Sequence, residues 1–182
     1  MRRILFKNLV NRPLTVAAPA PSAEGLAELA AKVDLAARRR LGRSLSIREV
    51  DAGSCNGCEL EIHALNNPIY DLERFGLRFV ASPRHADVLL VTGPVTANMR
   101  EALERTYAAT PDPKWVVAAG DCACGTGVFA GSYACVGAVS QVLPVDLHIR
   151  GCPPPPMALL AGLLALLQAS EGKDLAPRSA AP

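Results

Sequence analysis

The sequence lacks the long apolar segment that a membrane-spanning helix requires. No stretch reaches the roughly 18 to 20 uninterrupted apolar residues needed to cross a bilayer, although 50% of the 182 residues are hydrophobic. The amino terminus also lacks the apolar core and small-residue cleavage site of a signal peptide. We therefore expect a protein that stays on the cytoplasmic side and buries its apolar residues in one core.

A strong charge of either sign is also missing. The net charge of +2 gives no reason to expect nucleic-acid binding. The charge is unevenly spread: residues 1–48 carry 10 Lys and Arg against 3 Asp and Glu, a net of +7, whereas residues 49–182 carry 9 against 14, a net of −5. The first part of the chain is therefore a basic segment.

Signatures of nucleotide binding and of nucleophilic catalysis are absent too. Gly120 and Gly125 have the spacing of a P-loop, but no lysine follows that could reach the phosphates, and no G-x-G-x-x-G follows a predicted strand. His63, His85 and His148 are scattered, and none belongs to a nucleophile motif. We interpret them as surface histidines or as histidines that support a site.

The basic segment contains two amphipathic pieces joined by a stiff connector. Residues 1–12 place apolar and basic side chains on neighbouring faces of a predicted helix, and a Pro- and Ala-rich stretch covers residues 13–21. Ser22 then caps a second predicted helix that ends near residues 38–40. We predict a basic helical arm over residues 1–43, a main domain over residues 44–170 and a flexible tail over residues 171–182. The arm is either a solvated surface feature or a docking element for partner subunits or an anionic membrane surface.

From residue 44 onward the pattern is that of an α/β protein with a largely parallel sheet. Short apolar runs rich in Val, Ile and Leu predict buried strands over residues 45–50, 77–81, 88–92, 115–119 and 145–149. Helices are predicted over residues 59–72, 96–107 and 156–169. The last of these is strongly apolar, and we expect partner subunits to cover its surface.

The cysteines carry the most informative pattern. Cys55 and Cys58 form a C-x-x-C loop, which fits a redox pair, half of a zinc site or half of an iron-sulfur site. Cys122 and Cys152 lie far downstream in turns marked by glycine and proline, each just after a predicted strand. All three motifs therefore come to the carboxyl edge of the sheet, where open α/β sheets place their sites. Because disulfides are rare in the cytoplasm, the cysteines favour a metal site.

Four motifs in order carry a resemblance to a known family. They are Cys55-Asn-Gly-Cys58-Glu, Gly120-Asp-Cys122-Ala, Leu143-Pro-Val-Asp146 and Gly151-Cys152-Pro-Pro. Over roughly residues 42–167 the chain resembles the small iron-sulfur subunit of energy-converting, formate hydrogenlyase-like nickel-iron hydrogenases, which is homologous to the 20 kDa subunit of NADH:quinone oxidoreductase. The resemblance implies a flavodoxin-like fold and an electron-transfer role in a multi-subunit oxidoreductase, with no independent activity.

The same resemblance implies a cofactor and partners. The cofactor is one 4Fe-4S cluster beside the active site of a large catalytic subunit, with Cys55, Cys58, Cys122 and Cys152 as ligands. The further partners are a ferredoxin-like iron-sulfur subunit and membrane subunits, which implies a peripheral position at the cytoplasmic face of a membrane.

In the family that this chain resembles, the quinone-reducing branch has two adjacent cysteines in the first motif, whereas the hydrogenase branch has C-x-x-C. The C-x-x-C of this chain therefore favours the hydrogenase branch. The alternatives are a quinone-side cluster subunit and a catalytically silent scaffold, since any nickel ligands would lie on the large subunit.

Some residues leave a choice or depart from the family pattern. Cys124 competes with Cys122 for the third ligand position, where the Gly-x-Cys-Ala context favours Cys122. Cys135 is interpreted as a buried thiol, and Pro155 stands where a basic residue is usual. Structural zinc is an alternative to the cluster, because four thiolates suit it as well.

Two glutamates follow the second cysteine at the start of a predicted helix, where the helix dipole favours a carboxylate. In the family resembled, a glutamate at this place is thought to help pass protons. We predict that Glu61 takes part in proton transfer, and we interpret Glu59 as helix N-terminal charge.

Overall fold

The predicted strand segments form a central parallel sheet in the computed structural model, which describes residues 23–169. The helix predicted over residues 1–12, the connector, Ser22 and the tail predicted over residues 171–182 lie outside the described residues. The helices are α1 (Ala23–Leu41), α2 (Gly57–Ala64), α3 (Ala97–Ala109) and α4 (Pro156–Ala169). The strands are β1 (Ser46–Asp51), β2 (Arg78–Phe79), β3 (Val88–Thr92), β4 (Val95–Thr96), β5 (Trp115–Ala119), β6 (Cys135–Gly137) and β7 (Leu147–Ile149).

The sheet has the strand order β2-β1-β3-β5-β7, and all of its pairings are parallel. Counted within the sheet alone, this is the order 2-1-3-4-5 of flavodoxin-like doubly wound folds. The α/β fold with a largely parallel sheet is therefore confirmed. Strands β4 and β6 form a separate antiparallel ribbon, which the sequence pattern did not predict.

Alternate residues of each central strand face two different cores. In β5, Trp115 and Val117 belong to one core, while Val116 and Ala118 belong to the other. Helices α1, α2 and α4 cover the first face and α3 covers the second. Strands covered on both sides carry continuous apolar runs, which is why β3 and β5 are recognisable in the sequence.

The closing helix α4 buries its apolar side chains within this chain. Five of its leucines are buried in the first core: Leu159, Leu160, Leu163, Leu166 and Leu167. Helix α1 packs in the same core through Val33 and Ala37, which are fully buried. Within residues 23–169, no helix combines the length and the apolar character that crossing a membrane requires.

The helix predicted over residues 59–72 is shorter in the structure, where α2 ends at Ala64. The side-chain oxygen of Asn67 accepts hydrogen bonds from the backbone N–H groups of Ile69 and Tyr70, both at 2.9 Å. Such a turn competes with helical hydrogen bonding, and Pro68 has no N–H to continue the helix. The chain therefore leaves the helix before the start of β2.

Candidate metal centre

Four cysteines line one cavity at the carboxyl edge of the sheet. Cys55 lies in the loop after β1, Cys58 in the first turn of α2, Cys122 after β5 and Cys152 after β7. The cavity has a volume of about 100 Å³. Its other lining residues come from the same loops and from the loop after β3: Ser54, Gly57, Gly93, Asp121, Gly151 and Pro153.

The loop that carries Cys55 is held by hydrogen bonds from side chains to the backbone. The Asp51 carboxylate accepts the N–H groups of Gly53 at 2.8 Å and Ser54 at 2.7 Å. The Ser54 hydroxyl accepts the N–H of Asn56 at 3.1 Å, and Asn56 adopts a left-handed conformation with φ of 69° just before α2. This turn keeps Cys55 in the loop while Cys58 lies on the helix.

Asp121 joins the loops that carry Cys122 and Cys152. Its backbone N–H donates to the Gly151 carbonyl at 2.8 Å, and its carboxylate accepts the Gly151 N–H at 3.0 Å. The N–H of Gly120 donates to the Ile149 carbonyl at 2.8 Å. Asp121 lies within one of the four sequence motifs, but the sequence could not predict its role because its partner lies 30 residues away.

The absence of a side chain at Gly120 makes room for a sulfur atom. A Cβ built on this residue would lie 2.6 Å from the Cys58 sulfur, and its φ of +97° is in the left-handed region. Glycine adopts such a φ without the steric cost that other residues meet. The backbone after β5 can therefore approach Cys58 closely.

Burial dominates the electrostatics of the thiols. Burial, followed by repulsion from Glu59 and then from the other three cysteines of the cavity, raises the pKa of the Cys58 thiol to about 12. Burial also raises the pKa of Cys122, while the backbone N–H groups of Phe129 and Val128 donate to its sulfur and act in the opposite direction. Metal binding at Cys58 near neutral pH is therefore coupled to release of its proton.

The remaining two cysteines lie away from this cavity. The thiol of Cys124 points to the Ala118 carbonyl oxygen, 3.8 Å away, and packs against the second core. Cys135 lies in β6 and is half-buried. Together with Cys122, these two residues line a different cavity of about 470 Å³. Of the two candidates for the third ligand, Cys122 is the one that shares a cavity with Cys55, Cys58 and Cys152.

The two glutamates of α2 differ in burial. Glu59 is only 7% exposed, and neither of its carboxylate oxygens has a hydrogen-bond partner among the described residues. Glu61 is half-buried. Its predicted part in proton transfer stays a prediction. The three histidines singled out in the sequence all have exposed side chains.

The four cysteines of the cavity can be compared with the ligands that a zinc site and an iron-sulfur cluster require. Among the described residues, no group of three or more His, Cys, Asp or Glu side chains is arranged to hold a metal ion. A single zinc ion would bring four thiolates within about 4 Å of one another, because each Zn–S bond is about 2.3 Å. Four soft thiols around a cavity of about 100 Å³ are the donor set that an iron-sulfur centre uses.

A doubly wound α/β domain with a cysteine-lined cavity at its carboxyl edge is the class of protein that this fold and site define. The chain belongs to the family described as NADH ubiquinone oxidoreductase, 20 Kd subunit, which matches residues 55–166. That range contains all four cysteines of the cavity. The predicted family is thereby confirmed.

Comparison with individual proteins agrees with the family. The chain is 48% identical over 128 residues to a probable membrane-bound hydrogenase subunit of Pyrococcus furiosus, covering 70% of this chain and 77% of that protein. It is 44% identical over 135 residues to formate hydrogenlyase subunit 7 of Escherichia coli, covering 74% of this chain and 53% of that protein. It therefore spans about half the length of the second relative.

A solved structure of the membrane-bound sulfane sulfur reductase, an archaeal respiratory membrane complex, contains a chain with the same fold. The TM-score is 0.64 at 36% sequence identity, and the match covers 76% of this chain and 75% of that chain. The relatives are subunits of oxidoreductase complexes, so the family places this chain among oxidoreductase subunits.

Proposed function

We propose that this protein is an electron-transfer subunit that carries one 4Fe-4S cluster, with Cys55, Cys58, Cys122 and Cys152 as ligands. The observation that supports the proposal best is that these four thiols line one cavity although they follow three different strands. Four soft sulfur ligands are what such a cluster requires. When bound, the cluster supplies a group that accepts and releases single electrons.

The chain's own residues hold and tune this centre. The Asp51 and Asp121 hydrogen bonds position the loops that carry the ligands. N–H groups of residues 128 and 129 point at the Cys122 sulfur, and such donors stabilise negative charge on a ligand and raise a cluster's potential. Glu61, half-buried on α2, is proposed to carry protons near the site.

We further propose that the chain works beside a large catalytic subunit of a hydrogenase-type membrane complex, together with a ferredoxin-like subunit and membrane subunits. The relatives named as membrane-bound hydrogenase and formate hydrogenlyase subunits support this choice. The C-x-x-C of the first motif also favours the hydrogenase branch. Reading the partner large subunit for two C-x-x-C pairs would separate hydrogen chemistry from quinone reduction or a silent scaffold.

Metal analysis tests the cofactor directly. We expect this protein, purified without oxygen and without its partner subunits, to contain about four iron and four sulfide per chain and to show the visible absorption of a 4Fe-4S cluster. Inductively coupled plasma spectrometry and sulfide assay measure the content. Zinc at one per chain with no iron would show that the site is structural and would overturn the proposal.

The basic arm is proposed to attach the subunit to its complex at the cytoplasmic face of the membrane. Deleting residues 1–21 should release the subunit from the membrane fraction or lower its abundance, because the arm's apolar and basic side chains would no longer bind there. Immunoblotting of membrane and soluble fractions measures this, with iron per chain expected to stay unchanged. The control is deletion of residues 171–182, which should leave both values as they were. Normal assembly and electron transfer by the first variant would show that the arm is dispensable.

A further inference from the structure

A large cavity of about 590 Å³ lies at the amino edge of the sheet, opposite the cysteines. It is formed where α1 ends and where β1 and β2 begin. Three arginines and one glutamate supply its charged groups, and the lining residues are Arg38, Gly42, Arg43, Ser44, Glu73, Gly76 and Arg78. We call this cavity the arginine pocket.

Each arginine of the pocket is held by a hydrogen bond to a neighbouring side chain. Arg38 donates through Nε to the Asp34 carboxylate at 2.7 Å, and Arg78 donates through Nε to the Ser46 hydroxyl at 3.3 Å. Arg43 donates through both terminal nitrogens to Asp87, at 3.0 and 2.6 Å. The guanidinium groups are therefore oriented before any ligand binds.

These bonds leave donors free for a ligand. A guanidinium has five N–H donors, and Arg38 and Arg78 use only Nε–H, so their terminal N–H groups have no partner among residues 23–169. A Cβ built on Gly42 would meet no atom within 4 Å, which shows that the wall there is open. Arginine side chains held in this way suit tetrahedral oxyanions.

Stabilisation of the helix terminus explains only one of the three arginines. Arg38 lies in the last turn of α1, where a cation interacts favourably with the helix dipole. Arg43 and Arg78 lie outside this helix and still line the same cavity. None of the described residues that line the pocket is aromatic and could stack on a base, so the group it suits is a phosphate and not a whole nucleotide.

We propose that the arginine pocket binds a phosphate group, supplied either as inorganic phosphate or as the headgroup of an anionic lipid. Arg38 and Arg78 donate to the phosphate oxygens, while Arg43 stays paired with the Asp87 carboxylate. Two carboxylates oppose binding: Glu73 lines the same cavity, and Asp34 is bonded to Arg38 and Ser44 of the lining. The proposal is independent of the cysteine site, which lies at the other edge of the sheet.

The test uses the full chain and inorganic phosphate, titrated by calorimetry with chloride added to constant ionic strength. The double variant Arg38→Gln/Arg78→Gln should bind at least about tenfold more weakly, because it loses charge-assisted hydrogen bonds. Arg43 is kept, since Asp87, with a side chain only 4% exposed, would lose its ion-pair partner. The control is Arg100→Gln, which breaks a similar i,i+4 pair, with Glu104 at 2.9 Å, on α3. It should bind like the unaltered chain.

A second variant is expected to bind phosphate more tightly, which a folding defect would not produce. Glu73→Gln should bind phosphate several-fold more tightly, because it removes the one carboxylate of the lining. Equal affinity of the unaltered chain, the double variant and Glu73→Gln would overturn the proposal.

Vesicles of phosphatidylglycerol, with phosphatidylcholine as reference, identify the source of the phosphate. Arginine-dependent cosedimentation with the anionic vesicles, without saturable binding of inorganic phosphate, would assign the lipid headgroup. Saturable phosphate binding without a vesicle effect would assign the free anion. If the unaltered chain binds neither probe, the pocket is not a phosphate site.

Discussion

Replacing Cys122 with serine is expected to lower the iron content of the purified complex by about four atoms per copy of this chain, or to change the electron paramagnetic resonance spectrum of the reduced cluster. The Cys122 thiol lines the cavity with Cys55, Cys58 and Cys152, and a serine oxygen is a harder ligand than the thiolate that iron-sulfur clusters prefer. Iron content per chain and the spectrum after dithionite reduction measure the effect.

The matched control is Cys124→Ser, two residues along the same loop. Its sulfur faces the Ala118 carbonyl and not the cavity of the four cysteines, so the spectrum should stay nearly unchanged. If Cys124→Ser loses the cluster while Cys122→Ser keeps it, the ligand assignment is wrong.

Replacing Gly120 with alanine is expected to have a comparable effect without touching a ligand. The added Cβ would lie 2.6 Å from the Cys58 sulfur, at a residue whose φ is +97°. Either the thiol or the loop must move, which would separate Cys58 from the cysteines on the neighbouring loops. We expect about four iron atoms per copy of this chain to be lost, together with a lower midpoint of chemical denaturation.

Gly131→Ala provides the control for backbone strain. Gly131 also has a left-handed φ of +77°, but nothing lies within 4 Å of the position of its Cβ. It should lose about 1–2 kcal/mol of stability from the unfavourable φ and retain its iron. Equal iron loss in both variants would mean that backbone strain, and not contact with Cys58, disturbs the site.

Much of the fold could be predicted because its central strands are covered on both faces. Strands β3 and β5 pair residue by residue from Val88 with Trp115 to Thr92 with Ala119, and all their side chains are buried. Burial on both sides requires a continuous apolar run. Strands β4 and β6 have only two and three residues, which is too short for any hydrophobic period to be recognised.

The approximate location of the cysteines was also predictable, but their side-chain directions were not. Parallel strands end at one edge, so motifs that follow them must lie near one another. The turn after β5 then separates two cysteines that the sequence places side by side. The N–H of Cys124 donates to the Gly120 carbonyl at 3.1 Å and the N–H of Gly125 to the Cys122 carbonyl at 3.0 Å. This winding directs the Cys122 and Cys124 thiols to different surroundings.

The sequence by itself determined the α/β class, the order of the cysteine motifs and the family, because these follow from local apolar patterns and short spacings. Only the tertiary structure decided which thiols share a cavity, and it alone showed the bridge from Asp121 to Gly151 and the pairing of Arg43 with Asp87. Those contacts join residues 30 and 44 positions apart. No local pattern encodes such pairs, since they exist only after the strands have come together in one sheet.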